Sequence, residues 1–226
     1  MQLSASVTAV SWIPAGTVEG MARVPFSLAI THYDERPPSR MGDLNTWLRE
    51  DRFREANQLK AWIEVEDHRI VAAGYAGPGG LLGSTTMKLG AGAVRFPGSA
   101  RPVIRRQPWV SGQSARFVQT VGGRTGVPFP RPTRRSPFIA WHSSTAWTTL
   151  ELILDVDGRA EGRLLGASPF PCHFVYGADG ELAAETGATD FRTWFTTCFG
   201  RYTPWGGREL EPLRLRQLAP ALARAS

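Results

Sequence analysis

Cys172 and His173 are adjacent in Ser168-Pro-Phe-Pro-Cys-His-Phe-Val-Tyr176. A thiol nucleophile with its own base uses those two residue types. An extended chain forbids the dyad, because strand neighbours project to opposite faces. The next residues, Gly177-Ala-Asp-Gly-Glu181, read as a hairpin turn with a three-residue loop. That loop pairs Gly177 with Glu181, Tyr176 with Leu182 and Phe174 with Ala184. It sets His173 opposite Glu185, and a carboxylate beside an imidazole raises its pKa and orients the ring for acid–base work. The other face of the strand carries Cys172, Phe174 and Tyr176, with Cys172 expected to be a buried thiol.

A second constellation lies in Thr31-His-Tyr-Asp-Glu-Arg-Pro-Pro38. His32, Tyr33 and Asp34 bring an imidazole, a phenol and a carboxylate to a strand end before a proline bend, and such ends are where scaffolds place reactive groups. Trp141 and His142 share a further strand and are candidate ligand contacts. His68 falls in a turn. No two histidines have a metal-ligand spacing and neither cysteine belongs to a C-x-x-C, so no metal and no cofactor is expected. No G-x-S-x-G marks a serine hydrolase. The Gly-rich stretch 77–92 lacks the Gly-Lys-Ser/Thr ending of a phosphate loop.

Gly180-Glu-Leu-Ala183 resembles part of the phosphate-binding cassette of cyclic-nucleotide-binding domains. The resemblance covers four residues and implies a β-roll binding an anionic ligand. The short helix and the Arg–Ala stretch of that cassette have no counterpart here, since Ala184-Glu185-Thr186 continues as a strand and Arg192 falls in a predicted helix. Arg105-Arg106 and Arg134-Arg135 are the arginines that such a regulatory module could use.

The elements that position these residues are mostly strands. Residues 5–13 and 23–31 read as strands. Trp62–Glu66 alternates at period two and returns through Arg69–Ala73 across Asp67-His68, pairing Glu66 with Arg69 and Val65 with Ile70. This places Ile63, Val65, Ile70 and Ala72 on one face. Further strands are expected at 83–89 and 115–121, with Pro/Arg-rich loops at 97–112 and 122–137. In the hairpin 138–166, a two-residue turn at Asp157-Gly158 would mix apolar and charged residues on one face. A three-residue loop, Val156-Asp157-Gly158, separates them. It pairs Asp155 with Arg159 and Glu151 with Arg163, and sets Leu150, Leu152 and Leu154 with Ala160, Gly162 and Leu164. Leu44, Trp47, Leu48, Phe53, Ala56 and Leu59 recur at helical spacing over 43–60, with Asp43 as N-cap. Thr189 is the predicted cap of a helix over 190–199, and a broken amphipathic helix over 208–224 completes a helical tail across 189–225.

The pattern predicts one mainly β domain over residues 1–226: an antiparallel β-barrel or strongly curved sheet of about ten short strands, with one inserted helix and C-terminal helices. The 226 residues, 42% of them hydrophobic, suffice for a core. The two cysteines suit a reducing compartment. The N-terminus lacks the basic and apolar regions of a signal peptide, so a cytoplasmic protein is expected. The net charge of +6 comes almost wholly from arginine, and the Arg105-Arg106 and Arg134-Arg135 pairs sit in proline-rich loops without interleaved aromatics, which argues against nucleic acid. The expected function is binding of a small apolar or aromatic molecule. An enzyme of lyase, isomerase or cyclase type, working without a cofactor through His173 and His32, is the catalytic version. The alternative is the anionic-ligand module. Membrane association is not expected, and the oligomeric state is left open, a homodimer included.

Overall fold

The computed structural model describes residues 1–14, 16–24, 35–132, 136–186, 190–199 and 203–206. The fold is mainly β and antiparallel. One sheet has the strand order β14-β13-β1-β2-β3, where β1 is Gln2–Trp12, β2 Glu55–Glu66, β3 Arg69–Ala76, β13 Cys172–Tyr176 and β14 Leu182–Thr186. The short β4, Gly80–Leu82, adds to β2. The other sheet has the order β12-β11-β10, with β10 Ser114–Pro132, β11 Ile139–Asp155 and β12 Ala160–Ala167. Its β10 edge receives β7 (Ser99–Ala100), β8 (Ile104–Arg105) and β9 (Trp109–Val110). β5 (Thr85–Leu89) and β6 (Gly92–Phe96) form a separate hairpin. No closed barrel is found among the described residues.

The two sheets pack face to face. Val7 and Ala9 of β1, Leu59, Ala61 and Ile63 of β2 and Val175 of β13 meet Ala115 and Phe117 of β10 and Leu150, Leu152 and Leu154 of β11. Each run alternates at period two, as a strand with one face on a shared core requires. At the end nearest the inserted helix the first sheet is buried on its other face as well. There Val10, Trp12, Ala56, Cys172, Phe174 and Tyr176 pack under Leu44 and Trp47 of helix α1, Leu44–Arg49. The Trp12 and Trp47 rings meet edge to face with centroids 5.4 Å apart.

This double burial explains the main departure from the sequence expectation. The helix predicted over 43–60 is only α1; Asp43 does cap it, accepting from the Thr46 backbone N–H at 2.8 Å. Asp51, with φ of 53°, turns the chain out of the helical path, and β2 begins at Glu55. Ala56 and Leu59 have helical spacing, yet they lie on opposite faces of a strand. Both are apolar because both faces are covered, by α1 and by the second sheet.

Turn-defined registers agree with expectation near the turns. Glu66 faces Arg69 and Val65 faces Ile70 across Asp67 and His68, both at positive φ as a type I′ turn requires. Val71 then bulges, so Ala73 rather than Ala72 faces Ile63. In the β11–β12 hairpin Asp155 bonds Arg159, Gly158 has φ of 85°, and Leu154, Leu152 and Leu150 face Ala160, Gly162 and Leu164. Glu151 faces Arg163 and forms ion pairs with Arg116 and Arg163. The segment 122–132, read as loop, is strand: β10 and β11 extend as a long hairpin whose register breaks between Thr125 and Phe129. The strand expected at 83–89 is β5, and much of the one expected at 23–31 lies outside the described residues, as does the helix expected at 208–224.

Gly162 marks how closely β12 meets β1. A Cβ there would lie 2.4 Å from Val7 Cγ2 and 2.6 Å from Val7 Cβ. Neither atom is the free end of a flexible chain, so Gly162→Ala is expected to cost about 2 kcal/mol by overpacking. Gly112→Ala, with nothing within 4 Å of the new carbon, is expected to stay within about 0.5 kcal/mol of the parent. Urea denaturation of the pair checks both.

Candidate functional site

The core between the sheets changes character along its length. Following Val7 and Ala9 on the same face of β1 comes Ser11. Preceding Leu59 on β2 come Asn57 and Glu55. Below Val175 on β13 lies His173, before Leu150 on β11 lies Thr148, and beyond Phe117 on β10 lies Gln119. These six polar side chains are fully buried, His173 at 1% exposure and the others at 0%. The apolar half of the core therefore ends in a buried polar layer. Beyond it sits a third apolar cluster: Ile13, Val18, Ala146, Phe170, and Trp194, Cys198 and Phe199 from helix α2 (Phe191–Thr197) and the residues just after it.

Strand register places the chemistry. Ser11 faces His173 on β13 and Glu55 on β2, so the three lie on one rung of adjacent strands. Ser11 Oγ is 2.6 Å from Glu55 Oε2 and 2.9 Å from His173 Nδ1. His173 Nε2 is 2.9 Å from the Ser168 carbonyl oxygen. Across the core, the Thr148 hydroxyl donates to Glu55 Oε1 at 2.9 Å, which ties the two sheets together. Burial pushes the Glu55 carboxyl up to about 8, against the opposing pull of the Ser11 and Thr148 hydroxyls. Burial also pushes His173 down to about 4, with the Ser168 carbonyl opposing. Asn57 and Gln119 satisfy each other beside this row. Gln119 Nε2 donates to Asn57 Oδ1 at 2.8 Å, and Asn57 Nδ2 donates to the Thr148 carbonyl at 3.0 Å.

The sequence-derived partner of His173 is thus replaced. Tyr176 faces Leu182 as expected and Gly177 bonds Glu181, but Ala183 bulges, and from there the register slips by one. His173 faces Thr186, and Glu185 faces Phe174. Glu185 instead pairs with Arg36 at 2.6 Å, on the half-exposed side of the sheet. Burial first, and then the Glu185 charge, pushes the Cys172 thiol up to about 11. Cys172 and His173 do face opposite ways. Phe174 and Tyr176 belong to the aromatic cluster under α1, where the Tyr176 hydroxyl donates to the Pro38 carbonyl at 2.9 Å. They are packed core, not cavity lining. Trp141 is 69% exposed on the outer part of the β10–β11 hairpin, with His142 opposite Phe129. Neither belongs to the cluster that holds Cys172, Phe174 and Tyr176. His32, Tyr33 and Asp34 lie outside the described residues.

A cleft of about 680 Å³ opens where β1 and β13 end. It is lined by Gly16, Thr17, Glu19, Gly20 and Met21 from the turn after β1, by Pro171 and Cys172, and by Asp190, Phe191 and Arg192 at the start of α2. Asp190, not Thr189, caps α2, accepting from the Thr193 N–H at 2.9 Å. One short segment serves both features: the Ser168 carbonyl and the Phe170 ring hold His173, and Pro171 and Cys172 wall the cleft.

Sequence reasoning missed Ser11, Glu55 and Thr148. The usable signal was period two across residues 55–63, where Glu55 and Asn57 prolong the line of Leu59, Ala61 and Ile63. Among the described residues no three His, Cys, Asp or Glu side chains gather as a metal-binding group, and no helix is long and apolar enough to cross a membrane. The fold and site together define a two-sheet antiparallel β protein with an ionisable row sealed in its core. Compared with protein-family models, characterised proteins and solved structures, the chain finds no match.

Proposed function

We propose that the chain binds a small, largely apolar or aromatic molecule in the cleft at the β1–β13 end, with His173 supplying acid–base capacity behind the cleft wall. The observation that carries this reading is the cleft itself. Its volume falls within the roughly 300–1,000 Å³ of ligand pockets, and its lining mixes apolar surface with a few polar groups, the usual make-up of such sites. Met21, Phe191 and Pro171 provide contact area. Thr17, Glu19, Asp190 and Arg192 provide orientation. A closed barrel is not required, because the cleft lies at the sheet end and not inside a cylinder. An enzymatic form of lyase, isomerase or cyclase type would need His173, whose two ring nitrogens bond Ser11 and Ser168, to be released from those partners to reach the cleft. Glu185 no longer orients His173.

The anionic-ligand alternative has less to draw on. Arg105 is engaged by the Gln119 side chain, the Gly77 carbonyl and the Tyr75 ring, and Arg134 and Arg135 lie outside the described residues. A thermal-shift screen of aromatic and polyketide-like compounds against nucleotides separates the two. Aromatic compounds are expected to raise the melting temperature. Met21→Ser, at a residue 88% exposed on the cleft wall, is expected to weaken binding by about fivefold, close to 1 kcal/mol of lost apolar contact. Stabilisation by nucleotides alone, or binding indifferent to both Met21→Ser and Arg192→Ala, would sink the cleft proposal.

A further inference from the structure

We propose that Glu55, Ser11 and His173 form a proton-binding site inside the core, holding a single proton that rests on Glu55 and connects to His173 through the Ser11 hydroxyl. The argument is a hydrogen count. A backbone carbonyl only accepts, so the 2.9 Å contact to Ser168 requires His173 Nε2 to carry a hydrogen. In a neutral ring Nδ1 is then an acceptor, and the Ser11 hydroxyl must donate to it. Serine has one hydrogen. Once that hydrogen points at Nδ1, the 2.6 Å contact between Ser11 Oγ and Glu55 Oε2 lacks a hydrogen unless the carboxyl supplies it. A carboxylate with a neutral imidazole would leave two buried acceptors competing for one hydroxyl proton.

One other arrangement satisfies every contact. An imidazolium donates to Ser11, and Ser11 donates to a carboxylate. It has the same number of protons and differs by the concerted shift of two, from Glu55 to Ser11 and from Ser11 to His173. It places two full charges in a fully buried layer, and desolvation weighs against each. The groups that face the row among the described residues are neutral. From β2 the row meets the Asn57 amide, from β11 the Thr148 hydroxyl, from β10 the Gln119 amide, and from the chain before β13 the Ser168 carbonyl and the Phe170 ring. The charged chain neighbours turn elsewhere. Arg54 donates to the Asp51 and Ser84 carbonyls, Glu151 pairs with Arg116 and Arg163, and Glu185 lies across β13 with Arg36. The upward shift of Glu55 and the downward shift of His173 both favour the neutral form.

The test is solution NMR of the full chain with labelled glutamate carboxyl carbons and histidine ring nitrogens. At neutral pH one glutamate is expected to show the shift of a protonated acid and to move to the carboxylate position on alkaline titration. His173 is expected to be the Nε2–H tautomer with an accepting Nδ1. Glu55→Gln copies the protonated acid in shape and donor position. It is expected to abolish the protonated-acid signal and leave the His173 tautomer unchanged. If that variant does not fold, through-space contacts from the titrating glutamate to the Thr148 methyl in the parent make the same assignment. Every glutamate ionised at neutral pH, or His173 protonated on both nitrogens, would overturn the proposal.

Discussion

Ser11→Ala is expected to lower stability by about 4 kcal/mol, more than any single loss of a hydrogen bond at the surface would explain. Among the described residues, the serine hydroxyl alone joins the Glu55 carboxyl to His173 Nδ1. Removing it strands a donor on one side and an acceptor on the other, each fully buried. An unsatisfied buried polar group costs about 1–3 kcal/mol, and two fall on one substitution. Against a typical total of about 5–15 kcal/mol, that is a large share. Thr148→Val removes one donor to Glu55 Oε1 while Ser11 remains, so its cost is expected to be about half as large. The two substitutions act on the same carboxyl, so their effects should not add. Urea denaturation of both singles and the double at pH 6 checks this. A Ser11→Ala loss below about 1 kcal/mol, within the range of ordinary surface changes, would show that the row is not held as a unit.

Why this row was hidden in the sequence is itself physical. The hairpins β2–β3 and β11–β12 were legible because each register is set within a few residues of its turn. Asp67-His68 and Val156-Asp157-Gly158 decide which side chains face each other, and polarity then segregates correctly. Bulges were not legible. Val71 and Ala183 each insert one residue into an otherwise regular alternation, and neither residue type announces it. The bulge at Ala183 alone moved Glu185 away from His173. The site needed still more, because Glu55, Ser11 and His173 come from β2, β1 and β13. Neither pair of neighbours, β1 with β2 or β1 with β13, is joined by a local turn. Their adjacency is a property of sheet order, which only the packed molecule displays. Glu55 was further disguised because the start of β2 is buried on both faces, so that its apolar residues mimic the spacing of a helix.

Stability should also carry the signature of one retained proton. Glu55 alone, raised from an ordinary 4.5 to about 8, contributes stability that is present in full below 4.5 and is lost as pH rises to 8. His173 alone, lowered from 6.5 to about 4, contributes stability present above 6.5 and lost as pH falls to 4. Between 4.5 and 6.5 the two slopes cancel: the unfolded pair holds one proton on histidine, and the folded pair holds one on Glu55. The expected profile is flat there. From 6.5 to 8 the folded state holds one proton more than the unfolded, so stability falls by about 1.4 kcal/mol per pH unit, or about 2 kcal/mol in all. The next alkaline losses come from Cys172 and Tyr176, whose groups are raised from 9 to about 11 and from 10 to about 12 by burial. Those begin only above pH 9, so among the groups of the described residues that burial raises, Glu55 alone spans pH 6.5–8. Glu55→Gln is expected to remove that limb, while its second amide hydrogen, lacking a carboxyl's geometry, costs about 1 kcal/mol on the plateau. The variant should therefore be less stable than the parent at pH 6 and more stable at pH 8.5. Denaturant midpoints of both proteins across that range decide it. Parallel curves would mean that Glu55 is already ionised in the folded core, and that the proton resides elsewhere.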